Sequence, residues 1–417
     1  MQRIDVVVIG GGQAGLAMSY CLRARDIDHV VVERGRIAER WRSERWDSLH
    51  LLTPNWQSRL PGYAYRGANP EGFMSGWEVV RLLENYAARS GAPVLPHTRV
   101  LRVAAHGERY LVCTDRGDFD AANVVIATGY ADVPARPACA SSVSSRVHQL
   151  TPTAYRNSGS VPPGGVLIVG ASASGAQLAE ELASHGREVT LAVGRHIRLP
   201  RRYRGADIMA WLDRIGSLDE PIAGVRDPVA SRAQPSLQLI GSAPPRDLDL
   251  LTLSRQGVRL TGHLAALSGE HASFALDLPA SVSRAELKLA RVLAGIDRQI
   301  ARCGAYGHAW TADPPEPIDP TRLSPPARID LRAERISTVI WATGFRRDYR
   351  WLDVRVLDAH RELIHTRGIT PAPGLYALGL RFQHTRKSNF IDGVGVDAEY
   401  LARDIAARLG MRESFAA

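Results

Sequence analysis

Lysine is almost absent from this 417-residue chain, which has only Lys288 and Lys387 among its 52 basic residues. The remaining basic residues are arginines, scattered along the chain and interleaved with 43 acidic residues, without a run of five or six like charges. Nucleic-acid-binding chains instead concentrate their basic residues on one face or in one tail. In spite of the net charge of +9, the sequence therefore predicts no nucleic-acid partner.

Cysteine and long apolar runs are also scarce. The four cysteines lie far apart and form no C-x-x-C pair, so neither a zinc knuckle nor a redox-active pair is expected. No stretch approaches the roughly eighteen apolar residues of a membrane helix, and the apolar run at 4–9 is too short for a signal peptide. We expect a cytoplasmic protein with no membrane partner and no bound metal.

A glycine-rich turn follows the first apolar strand pattern. Residues 10–15 read GGGQAG, which matches G-x-G-x-x-G, and a helical pattern and a second strand ending in Glu33 come next. In such a unit Gly10 permits the tight turn, Gly12 lets the backbone approach a pyrophosphate, and Gly15 allows close packing of helix on strand. Glu33 is placed to hold ribose hydroxyls. The pattern predicts a dinucleotide site.

The same pattern recurs in the middle of the chain, at 166–193. The turn at 170–175 reads GASASG, so Ser172 replaces the middle glycine. Glu33 lies 23 residues after the first glycine of its turn, and the equivalent position in the second unit is Val193. The second site therefore has no carboxylate at the ribose position.

Basic residues follow the second strand of this unit instead. Arg195 and His196 come directly after it, with Arg198, Arg201 and Arg202 close behind. A carboxylate would repel a 2′-phosphate, whereas an arginine can bind one in bidentate fashion. The first site is therefore predicted to bind FAD and the second NADPH, with Arg195 contacting the 2′-phosphate.

Two Ala-Thr-Gly segments, at 127–129 and 342–344, each close an apolar strand pattern. Small residues at a strand end allow another backbone to come close. One segment precedes the second unit and the other follows it, as when one domain is inserted into another. We predict an α/β fold of two Rossmann-like dinucleotide-binding domains in a glutathione-reductase-like architecture. The FAD domain would comprise 1–155 and 339–417, and the NADPH domain 156–338.

Over almost its whole length the chain resembles the class B flavin-dependent monooxygenases, especially their bacterial CzcO-like branch. The resemblance rests on both turns, on both Ala-Thr-Gly segments and on the segments 40–54 and 386–398. In such proteins the Trp-Arg and Leu-His-Leu stretches lie along the isoalloxazine, and the C-terminal Gly-Val-Gly segment closes on the ribityl side. The resemblance implies flavin contacts at Arg40, Trp41, His50, Asp392 and Gly393.

Together, the two turns, the residues around them and the resemblance define one set of predicted cofactor-binding residues. They are Gly10, Gly12, Gln13, Ala14, Gly15, Glu33, Arg34, Arg40, Trp41, His50, Val100, Gly129, Gly170, Ser172, Ala173, Ser174, Gly175, Arg195, His196, Ala342, Thr343, Gly344, Phe345, Asp392 and Gly393.

FAD and NADPH sites on one chain imply hydride transfer from nicotinamide to flavin. The resemblance implies that O2 then adds at the flavin C4a and that one oxygen atom passes to a small organic substrate, commonly at nitrogen or sulfur. Among the residues expected to line the site, Asn55 and Asn389 offer useful polarity and are the candidate catalytic residues. The expected partners are that substrate and O2, and a homodimer is an open possibility.

Three other activities stay open. A flavoprotein could oxidise NADPH as a reductase or redox sensor without oxygenating anything. A Baeyer–Villiger enzyme would oxygenate a ketone. A disulfide reductase shares the two-dinucleotide architecture but needs two cysteines within reach of the flavin, and the sequence has no C-x-x-C.

Overall fold

The computed structural model describes residues 1–303 and 313–411. These residues form nine α-helices: α1 (Gln13–Arg23), α2 (Glu39–Ser43), α3 (Gly76–Ser90), α4 (Ala173–Ser184), α5 (Ile208–Arg214), α6 (Pro228–Arg232), α7 (Leu250–Arg255), α8 (Leu278–Cys303) and α9 (Val394–Arg408). No helix within the described ranges is both long enough and apolar enough to cross a membrane.

The same residues form 22 strands, many of them only two or three residues long: β1 (Gln2–Ile9), β2 (His29–Val32), β3 (Val94–Leu95), β4 (Val100–His106), β5 (Arg109–Thr114), β6 (Phe119–Ile126), β7 (Val133–Pro134), β8 (His148–Leu150), β9 (Gly165–Val169), β10 (Val189–Ala192), β11 (Ile197–Arg198), β12 (Arg202–Tyr203), β13 (Ala206–Asp207), β14 (Leu237–Gln238), β15 (Arg259–Thr261), β16 (Leu264–Ser268), β17 (His271–Phe274), β18 (Arg328–Asp330), β19 (Ile336–Trp341), β20 (Phe345–Arg346), β21 (Leu352–Asp353) and β22 (Leu375–Ala377).

The first large sheet is built from both ends of the chain. Its order is β21-β4-β5-β6-β1-β2-β3, and β22 pairs with β6. The central strand β1 runs parallel to β2 and β6, and its second half, residues 6–9, is wholly apolar and buried, as expected for a strand covered on both faces. Helices α1, α3 and α9 pack together on one face of the sheet. The glycine turn at 10–15 directly follows the carboxyl end of β1, and the carboxyl end of the parallel strand β2 lies beside it.

The second large sheet is parallel throughout, in the order β15-β10-β9-β19-β8. Two of its strands reach outside the predicted bounds 156–338 of the second domain. Strand β8 ends at Leu150 and belongs to this sheet, although 1–155 was assigned to the first domain. Strand β19 runs to Trp341 and also belongs here, although 339–417 was assigned to the first domain. The α/β class with two Rossmann-like sheets is confirmed, but the second sheet spans 148–341.

The two connections between the large sheets run side by side. Strand β7 on the way out pairs antiparallel with β20 on the way back. The Ala135 N–H donates to the Gly344 carbonyl oxygen at 2.9 Å, and the Thr343 hydroxyl donates to the Ala135 carbonyl. A two-stranded ribbon therefore joins the two parts of the protein that are built on the two large sheets.

A further group of elements, which we call the cap, comprises residues 197–239 and α8. Its core contains Trp211, which is fully buried and donates its Nε1–H to the Tyr203 carbonyl at 2.6 Å. Leu52 and Phe390, which belong to the part of the protein built on the first large sheet, pack against the same apolar cluster. The cap thus bridges both halves beside the glycine turns.

Candidate functional site

The first turn has the geometry of a phosphate cradle. Gly10 has φ +116°, and a Cβ there would lie 2.6 Å from the Ala127 carbonyl oxygen. A Cβ on Gly15 would lie 1.9 Å from the Gly10 oxygen, so both positions require glycine. Gly12 caps α1 without any side-chain hydrogen bond, which leaves the first N–H groups of the helix for a ligand. These residues fit a dinucleotide pyrophosphate.

Glu33 lies beside this turn, at the end of β2. Its Oε2 accepts the Gly11 N–H at 2.7 Å and its Oε1 accepts the Gly35 N–H at 2.8 Å. The two bonds hold the carboxylate in one orientation at the cavity wall, where Arg34 and Val100 also lie. A fixed acceptor at this point suits a pair of ribose hydroxyls.

The second turn repeats the first in detail. Gly170 has φ +107°, and a Cβ there would lie 2.4 Å from the Ala342 carbonyl oxygen. A Cβ on Gly175 would lie 1.8 Å from the Gly170 oxygen. Ser172 caps α4 but makes no capping hydrogen bond with its side chain. The replaced middle glycine has therefore not changed the backbone, and this turn also fits a pyrophosphate.

The two Ala-Thr-Gly segments now have a physical role. Strand β6 neighbours β1, and strand β19 neighbours β9. Ala127 and Ala342, which follow those strands, therefore stand directly behind Gly10 and Gly170. Each segment supports a glycine turn and then leads into the ribbon between the halves, which is why the motif occurs twice.

One continuous cavity of about 890 Å³ runs along both turns. The predicted cofactor-binding residues that line it are Gly10, Gly12, Gln13, Ala14, Glu33, Arg34, Arg40, Trp41, Val100, Gly129, Ala173, Ser174 and Phe345. Much of the remaining wall is apolar and aromatic, including Trp46, Leu51 and Leu52. Both dinucleotide cradles therefore open into a shared space.

Other predicted contacts lie beside this cavity. Gly15, Gly170, Ser172, Gly175, Ala342, Thr343 and Gly344 shape the turns or the ribbon without lining it. His50 bonds through Nδ1 to the Ser48 carbonyl at 2.9 Å and does not line the cavity.

Two predicted flavin contacts near the C-terminus also lie outside the cavity wall. The Asp392 carboxylate accepts from the Arg59 guanidinium at 2.9 Å and lies 3.6 Å from the Lys387 ammonium. Gly393 caps α9, where a Cβ would lie 1.9 Å from the Lys387 carbonyl oxygen. Both residues shape the segment that carries Asn389 and Phe390 into the wall.

Two of the predicted flavin contacts, Arg40 and Trp41, are tightly held. Arg40 donates to the Ala131 and Asp132 carbonyls and pairs with the Asp132 carboxylate. The Arg45 guanidinium lies 5.4 Å from the centre of the Trp41 ring, and burial lowers the pKa of Arg45. This packing presents Trp41 to the cavity in a fixed position.

The two candidate catalytic asparagines differ in position. Asn55 is buried, its Nδ2 donates to the Asn69 carbonyl at 2.9 Å, and it does not line the cavity. Asn389 lines the cavity, and its side-chain amide makes no hydrogen bond within the described residues. Its backbone carbonyl lies 3.5 Å from the Gln13 Nε2. Asn389 is therefore the asparagine available to a ligand.

The arginines after the second turn also separate into two kinds. Arg195 is exposed and forms no ion pair with the residues the structure describes. Arg198 and Arg201 are buried; Arg198 pairs with Asp249 at 2.8 Å and Arg201 with Asp207. Arg198 and Arg201 are therefore not available to a 2′-phosphate, because their charges are already compensated.

His196 follows Arg195 and is buried. Its Nδ1 lies 3.1 Å from the Gly194 carbonyl, and burial lowers its pKa. It supports the loop on which Arg195 stands and does not line the cavity. Across 1–303 and 313–411, no group of three or more His, Cys, Asp or Glu residues is arranged to hold a metal ion.

Sequence reasoning missed several cavity residues. Lys288 on α8 and Gln234 in the cap line it, together with Arg381 and Arg386 near the C-terminus. Arg386 begins the segment 386–398 of the resemblance, whereas the other three belong to no motif. Lys288 and Gln234 reach the cavity only because the cap folds beside it. The one feature of the sequence that could have drawn attention to Lys288 is that the chain has only two lysines.

Comparison with known proteins agrees with this geometry. The family model described as pyridine nucleotide-disulphide oxidoreductase matches residues 7–212, which include both turns. The CzcO-like oxidoreductase of Geobacillus kaustophilus is 34% identical over 406 residues, covering 96% of this chain and 98% of the relative. This chain belongs to the CzcO-like oxidoreductases. The predicted resemblance to that branch of the class B flavin monooxygenases is confirmed.

More distant relatives extend the comparison. The indole-3-pyruvate monooxygenase YUCCA4 of Oryza sativa is 28% identical over 230 residues, covering 50% of this chain and 52% of the relative. A flavin-containing monooxygenase from Stenotrophomonas maltophilia shares the fold, with a TM-score of 0.68 and 23% identity over 98% of this chain and all of the other. The CzcO-like chain is an oxidoreductase, and its family and fold neighbours imply a flavin and a nicotinamide dinucleotide as cofactors.

Proposed function

We propose that this CzcO-like chain is an FAD- and NADPH-dependent monooxygenase that transfers one oxygen atom from O2 to a small organic substrate, at nitrogen or sulfur. The main support is the continuous cavity onto which both glycine turns open. A flavin and a nicotinamide held on the two turns would meet in that space, as hydride transfer requires. The monooxygenase names of the relatives support the oxygen-transfer step.

Each part of the cavity has a task in this function. The N–H groups of α1 and the fixed Glu33 carboxylate hold the FAD, and the start of α4, with Ala173 and Ser174, holds the NADPH phosphates. Reduced flavin, when bound, supplies electrons to O2. The aromatic and aliphatic wall around Trp41 and Trp46 excludes water from the reacting atoms.

Asn389 is the protein amide best placed to act near those atoms. It lines the cavity without an internal partner for its side chain, so both its donor and its acceptor are free for substrate or flavin. Asn55 has its donor bound to Asn69, so a role for Asn55 would be to support the 3₁₀ turn Asn55–Gln57.

A disulfide reductase is the less favoured oxidoreductase. It needs two thiols at the flavin. Cys21 is buried inside α1, where desolvation raises the pKa of its thiol to about 12, and Cys113 and Cys139 stand elsewhere. None of these three cysteines lines the cavity.

The decisive experiment follows the labelled oxygen. Holoenzyme is incubated with NADPH and ¹⁸O2 in the presence of amines, sulfides, ketones, indoles and phenols, and products are identified by mass. We expect one compound class to accelerate NADPH consumption and to gain one labelled oxygen atom at nitrogen or sulfur. Peroxide equal to the NADPH consumed with every compound would establish a non-oxygenating flavoprotein, and a labelled ester or lactone from a ketone a Baeyer–Villiger enzyme.

Arg195→Ala tests the coenzyme assignment. An exposed arginine bound to a 2′-phosphate contributes a charge-assisted pair, so we expect the NADPH KM to rise about tenfold and the NADH KM to change little. Initial rates of NADPH and NADH oxidation provide the measurement. Arg202→Ala is the matched control, because that exposed guanidinium already donates to the Gly205 carbonyl. Equal changes with both coenzymes would contradict the assignment.

A further inference from the structure

The cavity wall formed by the cap contains a lysine without an acidic partner. Lys288 is half-buried on α8, and its Nζ donates to the Gln234 Oε1 at 2.8 Å. No carboxylate of the described residues pairs with it. Burial, and secondarily the nearby Arg386 guanidinium, lower the pKa of the Lys288 ammonium. The neutral amide leaves further N–H donors of the ammonium unused.

The Arg386 guanidinium, whose charge acts on Lys288, is already paired. The Arg386 guanidinium binds the Glu220 carboxylate at 2.5 Å and lies 4.9 Å from the centre of the Phe382 ring. Glu220 is thereby committed to Arg386 and does not compensate Lys288. A half-buried positive charge facing a cavity without a counter-charge is costly, and binding an anion removes that cost.

The surroundings of Lys288 also define the body of such an anion. Leu212, Leu218 and Val292 from the cap line this cavity. Phe382 and Phe390, from the part of the protein built on the first large sheet, line it as well. These side chains offer an apolar space that suits an aliphatic or aromatic group.

Lys288 and Asn389 line the same cavity. Arg386, close to Lys288, lies three residues before Asn389 in the chain, so their Cα atoms are at most about 11 Å apart. A molecule of modest length could therefore place an anionic group at Lys288 and its reacting atom near Asn389.

We propose that Lys288, oriented by Gln234, binds the carboxylate of the organic substrate, and that the substrate is an apolar or aromatic carboxylic acid that carries its nitrogen or sulfur atom away from the carboxylate. The proposal rests on the proposed function, since it names the substrate of the same site. The ammonium supplies a charge-assisted hydrogen bond, and the apolar wall holds the rest of the molecule. Lys288 is a specificity-determining residue here, because it holds the substrate at the end remote from the reacting atom.

The test is equilibrium binding to the oxidised holoenzyme, by dialysis or by perturbation of the flavin spectrum. The probes are 3-phenylpropanoate and indole-3-acetate, each paired with its primary amide, which has nearly the same shape without the charge. We expect the wild-type protein to bind each acid at least about tenfold more tightly than its amide. Lys288→Met should abolish that preference, while Lys288→Arg should keep most of it.

Arg291→Met is the matched control, because it removes a positive charge from an exposed position on the same helix, outside the cavity wall. It should leave the acid-to-amide ratio unchanged. The proposal is overturned if neither acid binds, if acid and amide bind equally to the wild type, or if Lys288→Met weakens NADP⁺ instead of the acids. Because this binding needs neither O2 nor turnover, it can fail while labelled oxygen is still transferred, and it can succeed where oxygen transfer fails.

Discussion

Gly12→Val is expected to yield a folded but colourless protein. Gly12 has φ −92° and ψ −170°, an extended backbone that valine adopts readily, and a Cβ there would meet no protein atom within 4 Å. The added methyl groups would instead occupy the space that the pyrophosphate needs at the start of α1. Flavin content should fall from about one per chain to nearly none, measured by absorbance of the purified protein, with the circular dichroism spectrum preserved.

Two further variants make this result specific. Ser172→Val widens the side chain at the second turn by one methyl group and removes its hydroxyl, so the protein should stay yellow while binding of the pyridine nucleotide weakens. Gly15→Ala should damage the fold itself, because its Cβ would lie 1.9 Å from the Gly10 oxygen. A Gly12→Val protein that purifies with full flavin content would refute the assignment of the first turn.

Arg198→Met is expected to cost about 3–5 kcal/mol in the free energy of unfolding. Arg198 is 2% exposed, with its Nε 2.8 Å from Asp249, its Nη1 2.5 Å from Glu286 and its Nη2 2.5 Å from the Glu316 carbonyl. Methionine fills much of the same volume but leaves two carboxylates facing one another without a cation. The denaturation midpoint, followed by tryptophan fluorescence, provides the measurement.

Arg255→Met is the control for this prediction. It also breaks an arginine–glutamate pair, with Glu316 at 2.7 Å, but both side chains are more than half exposed. Exposed pairs contribute about 1 kcal/mol or less, so its midpoint should move little. If Arg198→Met were as stable as the wild type but bound NADPH poorly, the guanidinium would belong to the coenzyme site after all.

The dinucleotide turns could be predicted because their signal is local. A strand, six residues of turn and a helix are adjacent in the chain, and the glycines are required by contacts within that unit or with one neighbouring strand. The fold class followed from the repetition of this unit. The Ala-Thr-Gly segments were informative for the same reason, since each stands directly behind its turn.

The domain boundaries and the burial of Arg198 and Arg201 could not be predicted in this way. Strand β8 is three residues long and is defined only by pairing with β19, nearly two hundred residues later. Arginines in an arginine-rich chain are usually exposed, and nothing near Arg198 in the sequence indicates otherwise. The carboxylates that pair with Arg198 lie 51 and 88 residues further along the chain. Lys288 was missed because the cap reaches the cavity only through tertiary packing.

The ribbon formed by β7 and β20 carries both covalent connections between the large sheets that the structure describes. Gly129, which precedes β7, and Phe345, at the start of β20, also line the cavity. A substitution that disturbs the pairing of the ribbon would therefore also reshape the cavity wall, so the connection between the sheets and the ligand space are not structurally independent.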